Sequence, residues 1–297
     1  MESWSNKYQG LIASVEFTFP EEGFLILKSA NGHNLVTYRF HHDYPKALIF
    51  LFHGMHMSSY DFSHVAKELH DNGFAVAAFD QENHGKSGGE PGTVRSLEDY
   101  CTNCENFIIK TKELYPEGTP IFCLGLSLGG SLCVMISLKR PELIKGIILY
   151  GASLTVDPNF EPILQKIVRF LNFCCCGGLR LKAIDHSIVS RNPNYPGYFE
   201  DNPEYFSGKL NVKTGVAVLN GFQKLQSQLA NFDRPVLMFH GEQDKLASCD
   251  QAKEFIRICK SKDKELVVYP EMYHVVTHEP EYPEIMEKTI QWLNQRV

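Results

Sequence analysis

The sequence predicts an α/β fold with a mostly parallel sheet. Three observations carry that expectation. Short apolar runs alternate strictly with helix-spaced segments over residues 47–150, and again from residue 236 to the end. Gly, Asn and Pro turn signals bound the runs. The composition, 43% hydrophobic and 22% charged over 297 residues, suits a packed globular chain and excludes a largely disordered one.

The elements follow in order. Residues 24–28 and 34–40 alternate or run apolar around Asn31-Gly32, which predicts a hairpin. Residues 47–52 are a buried strand ending at His53-Gly54. Residues 60–70 have helical spacing and stop near Asn72-Gly73. A second buried run, 74–79, ends at Asp80 and the glycine-rich loop 83–89. Then come a helix over 97–114, a strand over 120–124, a helix over 128–139 and a strand over 144–150, with Pro116 and Pro141 as breakers.

The rhythm breaks between residues 154 and 231, where no buried strand run occurs. Residues 160–173 predict an amphipathic helix with Phe160, Ile163, Leu164, Ile167, Val168 and Leu171 on one stripe, ended by Gly177-Gly178. Residues 191–206 are rich in Pro, Asn and Tyr, and 212–229 are helix-spaced. Alternation resumes with a strand over 236–240, a helix over 252–259, a strand over 266–269 and a closing helix over 284–293. The expected organisation is one domain over 1–297 with a helical cap, 154–231, inserted in it.

Charge and cysteines narrow the classes. A net charge of −6 argues against nucleic acid as a partner. No run of 18 apolar residues is present, and the polar, acidic start does not read as a secretory signal. Nine cysteines, an odd number, point to a reducing, cytoplasmic setting. Cys101 and Cys104 form a C-x-x-C, but on a helix-spaced segment without a second pair, so neither redox chemistry nor zinc is expected. Cys123 and Cys133 read as core thiols. Cys174-Cys175-Cys176, near Phe170, Leu171 and Phe173 and flanked by Lys166, Arg169, Arg180 and Lys182, reads either as a plain thiol cluster or as an S-acylation and membrane-docking patch. No histidine pair with an internal Glu occurs at zinc spacing, and no metal or organic cofactor is expected.

Gly125-Leu126-Ser127-Leu128-Gly129 fits G-x-S-x-G between a buried strand and a helix. Such a turn is strained, so its flanks need glycine, and it lifts the serine hydroxyl above the sheet edge. A serine hydroxyl needs a base, and with this elbow the partners follow in the order Ser, Asp or Glu, His. His274, four loop residues after the strand 266–269, is the expected base, with His278 its rival. Asp244, after the strand 236–240, is the expected acid over Glu242 and Asp250; its plainer reading is a helix N-cap. The oxyanion donors are expected at the N–H of Leu128 and, in the loop after residues 47–52, of Met55. His53 and His84 read as structural histidines.

These residues resemble the monoacylglycerol lipase family of α/β-hydrolases, in the group that also holds serine aminopeptidases and lysophospholipases. The resemblance rests on His53-Gly54-Met55, Asp80 with 83–87, Gly125–Gly130, His240–Asp244 and Tyr273-His274, and covers roughly 24–293. It implies an eight-stranded sheet with an inserted helical cap, and a triad at Ser127, Asp244 and His274 with oxyanion donors Met55 and Leu128. The chain departs from the family pattern at His56 and Asn83, where the family has glycine, and at Leu126, where it has histidine.

The function this implies is a serine esterase that cleaves small lipid esters, monoacylglycerols first, through an acyl-enzyme. The cap stripe could cover an acyl chain, meet a membrane surface, or pack on the main domain. A lysophospholipase or thioesterase would use the same triad. So would a proline-iminopeptidase-like peptidase, with Glu200, Asp201 and Glu204 to hold a free amine. A non-catalytic scaffold would be expected to have lost a triad member, and Ser127 argues against dehalogenases and epoxide hydrolases, which carry Asp there. The sequence sets no oligomeric state.

Overall fold

The computed structural model describes residues 18–155, 180–181, 186–202, 205–206 and 210–297. The hairpin expected over 24–40 divides in two. Strands β1 (Glu21–Glu22), β2 (Leu27–Lys28), β3 (Asn34–Leu35) and β4 (Thr37–Phe40) occupy this part of the chain. β2 and β3 pair antiparallel with Leu27 opposite Leu35, but β4 leaves that ladder for the main sheet. The break follows from Thr37, wholly buried, whose hydroxyl donates to Leu25 O at 3.1 Å and accepts from Leu25 N at 3.2 Å. Those bonds satisfy the Leu25 backbone outside any ladder.

Alternation then runs as expected: β5 (Leu48–Phe52), α1 (Ser63–Asp71), β6 (Ala75–Phe79), α2 (Leu97–Lys112), β7 (Ile121–Leu126), α3 (Leu128–Lys139) and β8 (Gly146–Tyr150). A two-residue ladder joins β9 (Arg180–Leu181) to β10 (Leu210–Asn211), with α4 (Tyr195–Asp201) between them in sequence. The chain continues with α5 (Val212–Gln226), β11 (Val236–Gly241), α6 (Cys249–Ile258), β12 (Lys264–Tyr269) and α7 (Tyr282–Asn294). The stretch read as merely Pro-, Asn- and Tyr-rich thus holds α4. Pro196 sits in its first turn, where a missing N–H costs nothing.

The main sheet has eight strands in the order β1-β4-β6-β5-β7-β8-β11-β12. The six from β6 to β12 are parallel, and β4 runs antiparallel to β6. Both faces are covered, which explains the continuous apolar runs. Ile49, Leu51, Leu124, Ile148 and Phe239 share one buried cluster with Val65 and Leu69 of α1 and Ile285 and Leu293 of α7. Leu48, Phe50, Cys123, Leu149 and Met238 share the other with Phe107 of α2, Leu132 of α3 and Phe255 of α6. Alternate residues of each strand feed opposite faces.

α2 begins at a capped turn: Ser96 Oγ accepts from Glu98 N at 3.1 Å and Asp99 N at 3.3 Å. Its inner side carries Cys101 and Cys104 as free, buried thiols. Burial pushes Cys101 up to about 12 and Cys104 well above its ordinary value, so both stay protonated and inert. Cys123 and Cys133 are also free and buried. The 160–173 stripe, Gly177-Gly178 and Cys174–Cys176 lie outside the described residues.

Candidate active site

Ser127 joins β7 to α3 with φ 53° and ψ −118°, a left-handed geometry rare for a residue with a Cβ. Its neighbours explain how the turn closes. A Cβ on Gly129 would lie 1.8 Å from Phe52 O, and one on Gly125 would lie 2.3 Å from Gly129 O. Only glycine lets β5, β7 and α3 meet there. The strained backbone is held from both sides. Ser127 N donates to Tyr150 O at 3.0 Å, and Ser127 O accepts from Gly130 N at 3.0 Å and Ser153 N at 3.2 Å. The Ser127 hydroxyl has the Ser153 hydroxyl 3.4 Å away. Leu128 opens α3, so its N–H has no acceptor within the helix.

His274 lies on the loop after β12. Its N–H donates to Val189 O at 3.0 Å, and its ring Nδ1 is 2.7 Å from Asp244 Oδ2. Asp244 follows β11 and is buried. Its Oδ1 accepts from Leu246 N at 2.8 Å and Ala247 N at 2.9 Å, an Asx-type turn within the loop; the plainer reading of Asp244 as a helix N-cap does not hold, because α6 starts at Cys249 with Ser248 at its N-cap. Its Oδ2 is 3.3 Å from His240 Nε2. Burial alone would raise its pKa, but facing His274 and the His240 hydrogen bond hold the carboxyl well below the usual carboxylate range. Gly151, at φ 50°, lets the β8 end approach this pair; a Cβ there would lie 2.7 Å from His274 O.

Ser127, His274 and Met55 line one cavity of about 50 Å³, closed by Met57, Val189, Tyr195, Phe199, Leu246 and Val275. Among the described residues, Ser127 Oγ makes its hydrogen bond to Ser153 and not to His274. The rivals lie elsewhere. The His278 Nδ1 is 2.9 Å from Thr277 Oγ1, its Nε2 is 3.7 Å from Asp61 Oδ1, and its ring faces Tyr195 at 5.1 Å. The side chains of Glu242 and Asp250 are 50% and 90% exposed, both toward Lys253. Glu200 and Asp201 sit exposed on α4, and Glu204 lies outside the described residues.

The loops beside the cavity bury the two histidines read as structural. His53 is satisfied at both nitrogens: Nδ1 donates to Gly54 O at 2.7 Å, and Nε2 accepts from Gln81 N at 2.9 Å. Burial lowers its pKa to about 4 and that of His84 to about 3, so both rings are neutral. Asp80 ties the loops together, accepting from Ser59 N at 2.7 Å, Lys86 N at 2.9 Å and the Tyr38 hydroxyl at 2.8 Å. At His56 φ is 65° and at Asn83 66°, left-handed values that suit the glycine expected at both places. Sequence reasoning gave no role to Ser153, His240, Asp61 or Tyr195. Only His240 carried a signal, its place beside Gly241 in the motif that ends at Asp244. Among the described residues no His, Cys, Asp and Glu group could hold a metal ion.

The family model described as "Serine aminopeptidase, S33" (Hydrolase_4) matches residues 43–281. The chain belongs to this family. As an S33-family member it is a hydrolase, and it is similar to proteins along most of its length. It is 29% identical over 259 residues to the monoglyceride lipase of Mus musculus, covering 85% of this chain and 84% of that one. It is 25% identical over 249 residues to the monoacylglycerol lipase of Mycolicibacterium smegmatis, covering 84% and 88%. The crystal structure of the Paleococcus ferrophilus monoacylglycerol lipase matches with a TM-score of 0.78 at 24% identity, covering 89% of this chain and 99% of that one. The S33-family chain therefore has the α/β-hydrolase fold. Among its described residues, no helix is long and apolar enough to cross a membrane.

Proposed function

We propose that the chain is a serine esterase cleaving small lipid esters, monoacylglycerols first, with Ser127 as nucleophile, His274 as base and Asp244 as acid. The supporting observation is a strained serine sharing one small apolar cavity with an imidazole bonded to a buried carboxylate. The names of the relatives add the acylglycerol class.

The Asp244 carboxylate takes the Nδ1–H of His274, so Nε2 is the bare nitrogen. Rotation of the Ser127 hydroxyl from Ser153 toward His274 lets Nε2 take its proton as Oγ bonds to the ester carbonyl carbon. The carbonyl oxygen becomes an oxyanion that accepts from the Met55 and Leu128 N–H groups. Losing one such donor typically costs about 2.7–4 kcal/mol of transition-state stabilisation. Collapse breaks the bond to the alcohol oxygen, which takes the proton from Nε2 and leaves as glycerol. Water then repeats the sequence on the acyl-serine and releases the fatty acid. We take 154–231 as one insertion in a single domain and assign to it the choice of acyl chain.

The test is a hydrolysis panel of monoacylglycerols, lysophospholipids, acyl thioesters, short aryl esters and N-terminal prolyl peptides. Burial is worth about 0.8 kcal/mol per CH₂, partly offset by chain ordering, so kcat/KM rises with acyl length below the critical micelle concentration. Replacing Ile167 and Leu171 by Ser flattens that rise and spares a short aryl ester. A fluorophosphonate labels the protein once, and Ser127→Ala abolishes labelling. His274→Ala and Asp244→Asn each lower kcat roughly 10⁴-fold, while His278→Ala stays within about tenfold. A flat ester series with prolyl-peptide turnover overturns the lipid-esterase reading.

A further inference from the structure

From the geometry around Asp244 we infer that His240 is a positioning residue: it aims the acid and sets how much negative charge the acid presents to His274. The inference rests on the reading of Asp244 as the acid.

His240 is the last residue but one of β11, and its side chain is wholly buried. A buried imidazole at a strand end needs partners, and Nε2 has two. It lies 2.8 Å from Ala247 O and 3.3 Å from Asp244 Oδ2. A carbonyl oxygen can only accept, so the ring hydrogen is on Nε2. The other nitrogen, Nδ1, is buried with no hydrogen-bond partner among the described residues. The hydrogen on Nε2 therefore faces Ala247 O, with Asp244 Oδ2 beside it.

The two contacts act on different things. The bond to Ala247 O closes the loop that begins at Gly241 and contains Asp244. The same loop is closed from inside by Asp244 Oδ1, which accepts from Leu246 N and Ala247 N. Carboxylate and imidazole thus clamp the ends of one short turn, leaving Asp244 little freedom. The contact to Oδ2 acts on charge. That oxygen also takes the Nδ1–H of His274 at 2.7 Å. A hydrogen bond from His240 to it draws charge away from His274 and makes the base less basic. Removing that donor is expected to strengthen the hold of the carboxylate on a protonated His274.

Two variants separate aim from packing. His240→Leu keeps an apolar side chain of similar bulk and removes the donor; His240→Gln restores an N–H near the place of Nε2. Activity is followed as kcat and KM on a soluble short-chain ester from pH 5 to 9. For His240→Leu, kcat falls by about tenfold or more with KM within about twofold, and the acidic limb of kcat/KM moves up by roughly half a pH unit. His240→Gln recovers most of kcat and returns the limb to the wild-type position. An unmoved limb in both variants overturns the inference, whether activity is retained or lost, because a packing role lowers activity without moving a titration. Should His240→Leu not fold, His240→Asn, too short to reach Asp244 Oδ2, takes its place with the same expected limb shift. Asp244→Asn is measured alongside. If it keeps wild-type activity, the acid assignment fails rather than the role of His240; if it is inactive and the limb stays fixed in the His240 variants, the inference fails alone.

Discussion

At Ser127 the chain stores backbone strain at the wall of the cavity that His274 also lines. Its φ of 53° is held by backbone hydrogen bonds from two neighbouring segments. Alanine has the same Cβ and keeps the strain, whereas glycine loses it. Both Ser127→Ala and Ser127→Gly should be inactive, with the glycine variant more stable by about 1 kcal/mol in urea unfolding. A second residue works against the fold. Burial pushes the Asp61 carboxyl up to about 7, although the Tyr205 hydroxyl donates to it. His278 stands 3.7 Å away, with His64 and Tyr195 packed against His278. Between pH ~4, where the unfolded carboxyl ionises, and pH 7 the native protein holds a proton that the unfolded chain has released. Stability therefore falls as pH rises through that window and levels off above it. Asp61→Asn keeps the acceptor for Tyr205 and removes the titration, so its melting temperature should exceed wild type by several degrees at pH 8 and match it at pH 4. Asp244 acts in the opposite sense: its lowered pKa adds stability above about pH 4 that is lost as acid protonates it. Asp61 did not announce itself in the sequence, and His240 did so only by its place in the motif, because burial and the partner across space decide what a polar residue does.

Among the elements, β5, β6, β7, β8 and β11 were legible because each is buried on both faces, and a continuous apolar run leaves little choice. The elbow was legible because its glycines answer a steric demand that no other residue meets. Less legible were the ends and the short pieces. β4 parts from its expected hairpin partner through one buried threonine hydroxyl, and α4 has only seven residues, too few for periodicity to show. The two kinds of local signal differ in what they are worth. Ser96→Ala removes the cap of α2 and should cost about 1 kcal/mol by denaturant titration. Gly129→Ala drives a methyl group into the Phe52 carbonyl, so β5 and α3 must separate; a loss of more than about 3 kcal/mol, or no soluble protein, is expected.

At the scale of the whole molecule the proposed reacting groups follow the carboxyl ends of β7, β11 and β12, three parallel strands of which β7 and β11 are wholly buried and β12 is the half-buried edge. Trp292 of α7 reports on that sheet, its ring edge-on to Phe122 at 5.9 Å. With Trp4 replaced by Phe, urea should abolish hydrolysis of a long-chain ester before the Trp292 fluorescence transition, since α4, which lines the cavity with Tyr195 and Phe199, is a helix of only seven residues. Coincident transitions would show one cooperative unit. The long connection between two adjacent strands bears on how such hydrolases diversify. β8 and β11 are neighbours in the sheet, yet more than 80 residues of sequence separate them. A lineage can lengthen, shorten or exchange what lies between these strands without moving Ser127, Asp244 or His274. Substrate range can therefore drift while the chemistry stays fixed, and recombination between relatives at residues 154 and 231 should yield chimaeras that differ in what they cleave and agree in how they cleave it.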